Sequence, residues 1–257
     1  MIRNIKLTIE YDGTRLHGWQ IQNKNQRTVQ GEIEKALRRI CKEKIRLIGS
    51  GRTDRGVHAL GQVANFKTKS AKPLNVLTNA LNANLPEDIC ILDSEETPEN
   101  FHAQFSAKSK TYRYTILNRE GRGALQRFLC WHYNQKLNLK FMKQEANELL
   151  GRKDFKSFQS TDPTKAKRHK KEHTIRTIKR IRIFKKDDYL IIEIEANGFL
   201  YKMVRNIVGT LLDIGRGKLP KGSMRKILSR KNRYFAGPTA KAKGLTLLRV
   251  TYSLSFH

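Results

Sequence analysis

The sequence of 257 residues has few cysteines, few acidic residues and no long apolar run. Its three cysteines, Cys41, Cys90 and Cys130, lie far apart without a CxxC pair, which argues against a disulfide framework or a zinc cluster. No segment approaches the roughly 18 apolar residues of a membrane span, and the N-terminus begins with strand-like alternation rather than a signal peptide. We therefore expect a cytoplasmic protein with no membrane contact and no metal.

The shortage of acidic residues leaves a strong positive charge. Lys and Arg number 52 against 23 Asp and Glu, so the formal net charge is +29. A folded chain with this charge needs an anionic partner, and RNA is the leading candidate. Hydrophobic residues make up 38% of the chain, which is enough to form a core and excludes disorder throughout.

Hydrophobic periodicity predicts eight strands and five helices. The predicted strands cover residues 5–9, 45–50, 61–68, 89–92, 110–116, 178–184, 189–196 and 245–253. The predicted helices cover 29–40, 73–82, 139–150, 204–212 and 223–229, and Gly215 is placed to end the fourth. Hairpins mix with helices, so we predict an α+β fold with a mixed, mainly antiparallel sheet flanked by helices. Two similar α+β halves are expected, residues 1–107 and residues 108–257.

Residues 160–174 contain almost no apolar side chains and many cations, which predicts a mobile basic loop. Its cations can follow an RNA backbone, as can the arginines at 176, 180 and 182. The alternative is a solvated charged face without specific contacts. The loop residues proposed to contact RNA phosphates are Lys165, Lys167, Arg168, Lys170 and Lys171.

The segment GSGRTDRGVHALGQ, residues 49–62, is the most unusual in the chain. Asp54 is its only carboxylate, and Arg52 and Arg55 are near neighbours of it in sequence. One interpretation is a solvated turn whose Asp is held by local arginines. The other is a carboxylate in a basic cleft, where cations favour the ionised form that a nucleophile or general base requires.

At these residues the sequence resembles the tRNA pseudouridine synthases of the TruA type. The resemblance covers nearly the whole chain, and the order of seven motifs carries it. They are EYDGTRLHGWQ, TVQGEIEKAL, GRTDRGVHALGQV, NANLPEDI, FHAQFSAKSKTYRY, NGFLYKMVRNIVGTLLDIGRGK and AKAKGL. The pseudouridine synthase fold that the resemblance implies is a mixed, mainly antiparallel sheet flanked by helices and shared by two α+β halves.

The resemblance implies roles for two residues of the GRTD motif. Asp54 matches the catalytic aspartate, which acts on the ribose of a uridine while the uracil is detached, turned and rejoined through carbon. Whether the carboxylate attacks the sugar or first removes a proton stays open. Arg52 matches the residue that helps to hold the target nucleotide out of the stack, and a plain phosphate contact is the alternative.

Three further residues receive roles from the later motifs. Tyr112 matches the tyrosine that lies against the target base, although alternating aromatic residues of a strand usually pack in a core. Arg205 matches the arginine that pairs with the catalytic aspartate, and a solvent-directed helix arginine is the alternative. Leu245 resembles an apolar residue that lines the base pocket, and without the resemblance it is an ordinary core residue.

The implied activity is the isomerisation of uridine to pseudouridine at positions 38 to 40 of the tRNA anticodon stem-loop. The product is an isomer, so no cofactor is expected. The implied assembly is a homodimer that binds tRNA across a basic cleft. Two other hypotheses stay open: a paralogue that modifies ribosomal RNA, and a basic RNA-binding protein without catalysis.

Several positions depart from the family pattern. Gln104 stands where an arginine is usual, Leu16 where an aromatic is usual, and Arg55 where bacterial members commonly carry alanine. AKAKGL lacks the prolines often present there. None of these positions belongs to the set of Asp54, Tyr112 and Arg205, so they affect the expected choice of RNA more than the expected reaction.

Overall fold

The computed structural model describes residues 1–22, 26–161 and 173–253. The five cations proposed to contact RNA phosphates in the basic loop, Lys165, Lys167, Arg168, Lys170 and Lys171, lie outside these ranges, so their predicted role stays a prediction.

The described residues form ten strands. In chain order they are β1 (Arg3–Tyr11), β2 (Ile48–Gly49), β3 (His58–Thr68), β4 (Ile89–Thr97), β5 (Ala107–Leu117), β6 (Trp131–His132), β7 (Gly151–Asp154), β8 (Ile175–Lys186), β9 (Tyr189–Ala196) and β10 (Leu245–Tyr252).

The same residues form five α-helices, which are α1 (Val29–Cys41), α2 (Leu74–Asn84), α3 (Leu139–Asn147), α4 (Met203–Gly215) and α5 (Ser223–Arg230). Thr28 caps α1 by accepting a hydrogen bond from the Gly31 backbone N–H. Across the described ranges, no helix has both the length and the apolar content to cross a membrane.

The chain divides into two compact units. The first comprises Met1–Lys110 together with the C-terminal segment from Thr246, and the second comprises Thr111–Leu245. The chain leaves the first unit within β5 and returns to it at the start of β10. The boundary expected between residues 107 and 108 lies in β5 as well.

The sheet of the first unit has the order β4-β1-β3-β10, and β2 pairs with β3. β1 is antiparallel to β3 and to β4, whereas β10 is parallel to β3. Ile5, Leu7 and Ile9 of β1 are fully buried, as their alternation with polar residues predicts. Helix α1 buries Val29, Ile33, Ala36 and Leu37 on one side.

The sheet of the second unit has the order β5-β9-β8-β7, with β6 parallel to β5. β8 pairs antiparallel with β7 and β9, and the β8–β9 hairpin turns over residues 187 and 188. Sheets that are mainly antiparallel and helices between the strands confirm the predicted α+β class.

Two predicted elements are shorter in the structure by more than one residue. The strand expected at 45–50 is reduced to β2, because side chains of α1 bind the backbone of Leu47. Its N–H donates to Glu34 Oε1 at 2.9 Å, and its carbonyl accepts from Gln30 Nε2 at 3.2 Å. Helix α3 ends at Asn147 rather than 150, since Leu149 and Leu150 form tighter backbone bonds to the residue three positions back.

Helix α4 is buried on all sides rather than along the single stripe that its sequence predicts. Every residue from Met203 to Gly215 is buried except Arg205. The difference arises because other segments of the second unit cover its polar side. Asn206 Nδ2 donates to the Phe158 carbonyl at 2.8 Å, and the Gly237 N–H donates to Thr210 Oγ1 at 2.8 Å. Arg205 is therefore the one residue of this helix with partial access to solvent.

Candidate active site

Asp54 lies in the first unit, in the loop between β2 and β3, residues 50–57. Its side chain is half-buried, whereas the side chains of Arg52 and Arg55 are exposed. The Asp54 carbonyl accepts a hydrogen bond from the Val57 N–H at 3.2 Å, which closes a tight turn around Gly56, whose φ is +77°. The turn presents one carboxylate between two solvated arginines.

Three donors from distant parts of the first unit bind the backbone of the residues that precede Asp54 in this loop. The Trp19 N–H donates to the Thr53 carbonyl at 3.1 Å, and Gln62 Nε2 donates to the Gly51 carbonyl at 2.9 Å. Lys110 Nζ donates to the Ser50 carbonyl at 2.6 Å. Because three of the four backbone carbonyls of residues 50–53 are bound, the position of the loop at Asp54 is restricted.

Gly18 allows the segment that carries Trp19 to reach the loop. Its φ is +85°, and an added Cβ would lie 2.5 Å from the Thr53 carbonyl oxygen. A side chain at this position would be strained by the backbone and would collide with the backbone of the Asp54 loop. The glycine of the HGWQ motif therefore allows the close backbone contact that holds Thr53, the residue before Asp54.

Tyr11 supports the loop from beneath. Its hydroxyl shares a hydrogen bond of 2.8 Å with the Thr53 hydroxyl, and both side chains are buried. Burial raises the pKa of Tyr11 to about 12, and the hydrogen bonds with Thr53 and Gln62 act in the opposite direction. The phenol is neutral throughout the physiological range and remains able to share its proton with Thr53.

His58 connects the start of β3 to the turn after β1. Its buried ring places Nδ1 3.1 Å from the Gly13 N–H and 3.0 Å from Asp12 Oδ1. Burial tends to raise the pKa of Asp12, but hydrogen bonds from Thr14 and the contact with His58 outweigh it and lower that pKa. These contacts give His58 a structural role, because they link β3 to the turn after β1.

Tyr112 and Tyr114 lie in the second unit on the same face of β5. Tyr112 is buried and meets the Phe199 ring edge-on, with centroids 5.1 Å apart. Tyr114 is fully buried, and its hydroxyl donates to the Lys241 carbonyl at 2.6 Å. Burial raises the pKa of Tyr114, against the effect of the nearby Arg205 charge. Tyr114 therefore anchors the AKAKGL segment.

Arg205 and Ala240 bind each other twice. Arg205 Nε donates to the Ala240 carbonyl at 2.8 Å, and the Ala240 N–H donates to the Arg205 carbonyl at 3.1 Å. The first bond restricts the rotation of the guanidinium, and the second holds the segment of Ala240 against the first turn of α4. The side chain thus has a defined direction rather than the free, solvent-directed arrangement of a surface arginine.

Leu245 is buried at the end of the same segment. The residue before it, Gly244, lies against the Tyr114 ring, where an added Cβ would be 2.7 Å from two ring carbons. Leu245 is therefore positioned by Tyr114, through both the Lys241 hydrogen bond and the close approach at Gly244.

The predicted site residues thus fall into two sets. Asp54 and Arg52 belong to the first unit, and Tyr112, Arg205 and Leu245 to the second. Their catalytic and binding roles stay predictions. Of the departures from the family pattern, Leu16 is a buried core residue, whereas Gln104 and Arg55 are exposed.

Sequence reasoning missed the residues that position Asp54. Lys110, Gln62, Tyr11 and the Trp19 backbone all lie in the quoted motifs, but the spacing of the motifs does not reveal which of them meet. Ala240 was missed because it acts through its backbone. Within the part of the chain that the structure describes, no group of three or more His, Cys, Asp or Glu could hold a metal ion.

The comparison with protein families agrees with these motifs. The family model described as tRNA pseudouridine synthase matches residues 7–106 and 146–253. A tRNA pseudouridine synthase A of Thermoanaerobacter sp. (strain X514) is 47% identical over 251 residues, which is 98% of this chain and 100% of that protein. The proteins of the same name from Acetivibrio thermocellus and Clostridium acetobutylicum are 46% and 45% identical, with the same coverage.

Matches of this length and identity establish the family. The chain belongs to the tRNA pseudouridine synthase family, and the resemblance inferred from the seven motifs is confirmed.

Proposed function

We propose that this protein converts uridine to pseudouridine at positions 38 to 40 of the tRNA anticodon stem-loop, with Asp54 as the catalytic carboxylate. Membership of the tRNA pseudouridine synthase family supports the reaction and the class of RNA. The proposal assigns Asp54 its role from the match of the GRTD motif, and assigns the position in tRNA from the resemblance to synthases of the TruA type.

The observation that carries the assignment of Asp54 is the fixed position of its loop. Ser50, Gly51 and Thr53 each have their carbonyl bound by a donor from another segment. A catalytic group that is held in place before the substrate arrives loses little entropy during the reaction. A merely solvated turn would not need three such donors.

The chemistry requires one bond to break and another to form. The bond between N1 of uracil and C1′ of the ribose breaks, the base turns, and C5 bonds to the same C1′. The proton on C5 leaves and N1 gains one, so the product is an isomer of the substrate and no cofactor is consumed. In the proposal the Asp54 carboxylate acts on the ribose, either by attack or by removal of a proton.

The charge of the chain fits a tRNA substrate. No Asp or Glu follows Asp213, so residues 214–257 carry only cationic charge. Such a segment attracts a phosphate backbone irrespective of sequence and makes binding dependent on salt. The homodimeric state, the cytoplasmic location and the roles of Arg52, Tyr112, Arg205 and Leu245 that the resemblance implies belong to the same proposal.

The test compares wild-type protein with Asp54→Asn on unmodified tRNA transcripts, and maps pseudouridine by carbodiimide-dependent stops in primer extension. Asp93→Asn is the matched control, because Asp93 is an exposed carboxylate of the same unit. We expect stops in the anticodon arm with wild type and Asp93→Asn, and none with Asp54→Asn, which should still bind tRNA.

Other outcomes would replace the proposal. If no tRNA transcript gives stops and ribosomal RNA transcripts assayed in the same way do, the protein is a paralogue with a different substrate. Binding of RNA without stops on any transcript would identify a non-catalytic RNA-binding protein. Equal activity of Asp54→Asn and wild type would remove Asp54 from the reaction.

A further inference from the structure

Two neighbouring aromatic side chains of the second unit are exposed. Tyr234 has 87% of its surface accessible and Phe235 has 45%. Both belong to a short 3-10 helix, Arg233–Phe235, that follows α5. Their rings meet edge-on with centroids 5.8 Å apart, and the Arg230 guanidinium lies 5.2 Å from the Phe235 centroid. Phe235 is therefore partly covered, whereas the Tyr234 ring is open.

The backbone that carries these rings is firmly anchored. Asn232 caps the 3-10 helix by accepting from the Tyr234 N–H at 3.0 Å, and its own N–H donates to the buried Ser157 hydroxyl at 3.0 Å. Exposed apolar residues that are scattered singly over a surface need no explanation. Two adjacent exposed aromatics on a turn that buried partners hold in place indicate a binding surface.

The same turn is linked to the element that carries Arg205. Arg233 Nη2 donates to Asn206 Oδ1 at 3.1 Å and to Thr239 Oγ1 at 3.2 Å, and Thr239 Oγ1 donates to Asn206 Oδ1 at 2.6 Å. Asn206 follows Arg205 in α4, and Thr239 precedes Ala240, which binds Arg205. The backbone of the turn that carries Tyr234 is thus tied to the start of α4 and to the segment of Ala240.

The surroundings of the two rings are strongly cationic. Residues 218–243 contain nine Lys and Arg and no Asp or Glu. Three acids elsewhere in the unit pair with this segment, Asp213 with Lys218, Glu148 with Arg225 and Asp154 with Lys231. Six of its nine cations therefore have no acidic partner among the described residues. An open aromatic ring within a cationic surface is the arrangement by which proteins stack an unpaired base and hold its phosphates.

We propose that Tyr234 is a stacking platform for an unpaired nucleotide of the tRNA substrate. Phe235 and Arg230 support it from one side, and the cations of α5 bind the adjoining phosphates. The proposal rests on the tRNA substrate of the proposed function and adds a contact outside the set of Asp54, Tyr112, Arg205 and Leu245.

The test measures the Kd of unmodified tRNA for wild type, Tyr234→Ala and Tyr234→Phe. Loss of one stacked base should raise the Kd of Tyr234→Ala between about fivefold and a hundredfold. Tyr234→Phe retains the ring and should bind as wild type does. Leu125→Ala is the control for loss of exposed apolar surface, because Leu125 is 96% exposed in the same unit, and its Kd should not change.

Three further measurements separate stacking from other causes of weaker binding. In steady-state assays Tyr234→Ala should raise KM with kcat unchanged, since the contact binds substrate without touching the reacting atoms. In stem-loop transcripts with 2-aminopurine at single loop positions, wild type and Tyr234→Phe should quench one position, and Tyr234→Ala should not. The melting temperature of Tyr234→Ala should equal that of wild type, because the ring is exposed.

A wild-type Kd for Tyr234→Ala overturns the platform and leaves the proposed function intact if the variant still forms pseudouridine. A wild-type protein that forms none on tRNA overturns the proposed function itself. A changed sedimentation coefficient of Tyr234→Ala without tRNA would also overturn the platform, because it would assign this surface to a contact between copies of the chain.

Discussion

Arg205 and Ala240 are 35 residues apart in sequence and bind each other through two hydrogen bonds, one from the Arg205 side chain and one to its backbone. The arginine is thereby both a half-buried charge and a part of the packing of α4. A lysine keeps the charge but lacks the Nε donor that binds the Ala240 carbonyl. Charge and geometry can therefore be tested separately at this position.

We expect Arg205→Lys to lose about 1.5–3 kcal/mol of stability, the usual contribution of a hydrogen bond from a charged donor. Its rate of pseudouridine formation should fall nearly as far as that of Arg205→Gln, because the direction of the side chain is lost in both variants. Single-turnover kinetics and urea denaturation measure the two effects. Arg152→Lys, at an exposed position of the same unit, controls for the exchange itself. Wild-type activity of Arg205→Lys would mean that charge alone suffices.

Gly244 tests whether Tyr114 positions Leu245. A Cβ at Gly244 would lie 2.7 Å from the Tyr114 ring and 2.9 Å from the Thr115 carbonyl oxygen. We expect Gly244→Ala to cost about 1–3 kcal/mol, as overpacking usually does, and to raise KM because Leu245 follows directly. Gly121→Ala is the matched control, since nothing lies within 4 Å of its added Cβ and its φ is not positive. Equal urea midpoints for both variants would contradict this account of the packing.

The elements that sequence predicts best are those whose burial follows a simple period. In β9, Leu190, Ile192, Ile194 and Ala196 are all buried, as their alternation requires. The segment 45–50 has the same kind of pattern but forms little strand, because Gln30 and Glu34 of α1 bind the backbone of Leu47. Such competition between a side chain and a strand partner depends on tertiary contacts, which a local pattern does not contain.

In the candidate site, too, some residues can be predicted from the sequence and others are revealed only by tertiary contacts. Asp54 stands out in the sequence as a lone carboxylate among arginines and glycines, and the family motifs draw attention to it. The donors that hold its loop do not stand out, because Lys110 is one cation among 52 Lys and Arg. Its significance lies in a contact across 60 residues with the Ser50 carbonyl, which only the fold reveals.

Lys110 offers a direct test of that contact. Its Nζ donates to the Ser50 carbonyl, and an added Cβ at Gly51 would lie 3.3 Å from the same Nζ. We expect Lys110→Met to retain the apolar stem, leave the Ser50 carbonyl unbound and loosen the loop of Asp54. The kcat should fall by about one order of magnitude, the equivalent of 1.4 kcal/mol in the barrier, with a smaller change in KM.

The control for Lys110→Met is Lys108→Met. Lys108 lies two residues earlier in β5, and its side chain is exposed. Both variants remove one positive charge, so a general electrostatic effect on tRNA binding would lower both activities equally. A fall in kcat confined to Lys110→Met supports the role in positioning Asp54, and an equal fall in both would contradict it.

Tyr11 gives a prediction about stability and pH. Burial raises its pKa to about 12 from the ordinary value of 10.0, so the folded state retains the phenol proton more tightly than the unfolded state does. Its contribution is fully present below pH 10 and declines between about pH 10 and pH 12, by about 1.4 kcal/mol per pH unit at most. The phenyl ring of Tyr11→Phe cannot ionise, so this variant does not show that decline in stability.

Urea unfolding of wild type and Tyr11→Phe between about pH 8 and pH 11 measures the difference. Below pH 10, Tyr11→Phe should be less stable by about 1 kcal/mol, because the hydrogen bond with Thr53 is lost. Above pH 10 the gap should close, since only wild type loses the stabilisation by the neutral phenol. Tyr114 and the lysines titrate in both proteins, so they do not affect the difference. A constant gap up to pH 11 would mean that the buried phenol ionises as readily in the folded chain as in the unfolded one.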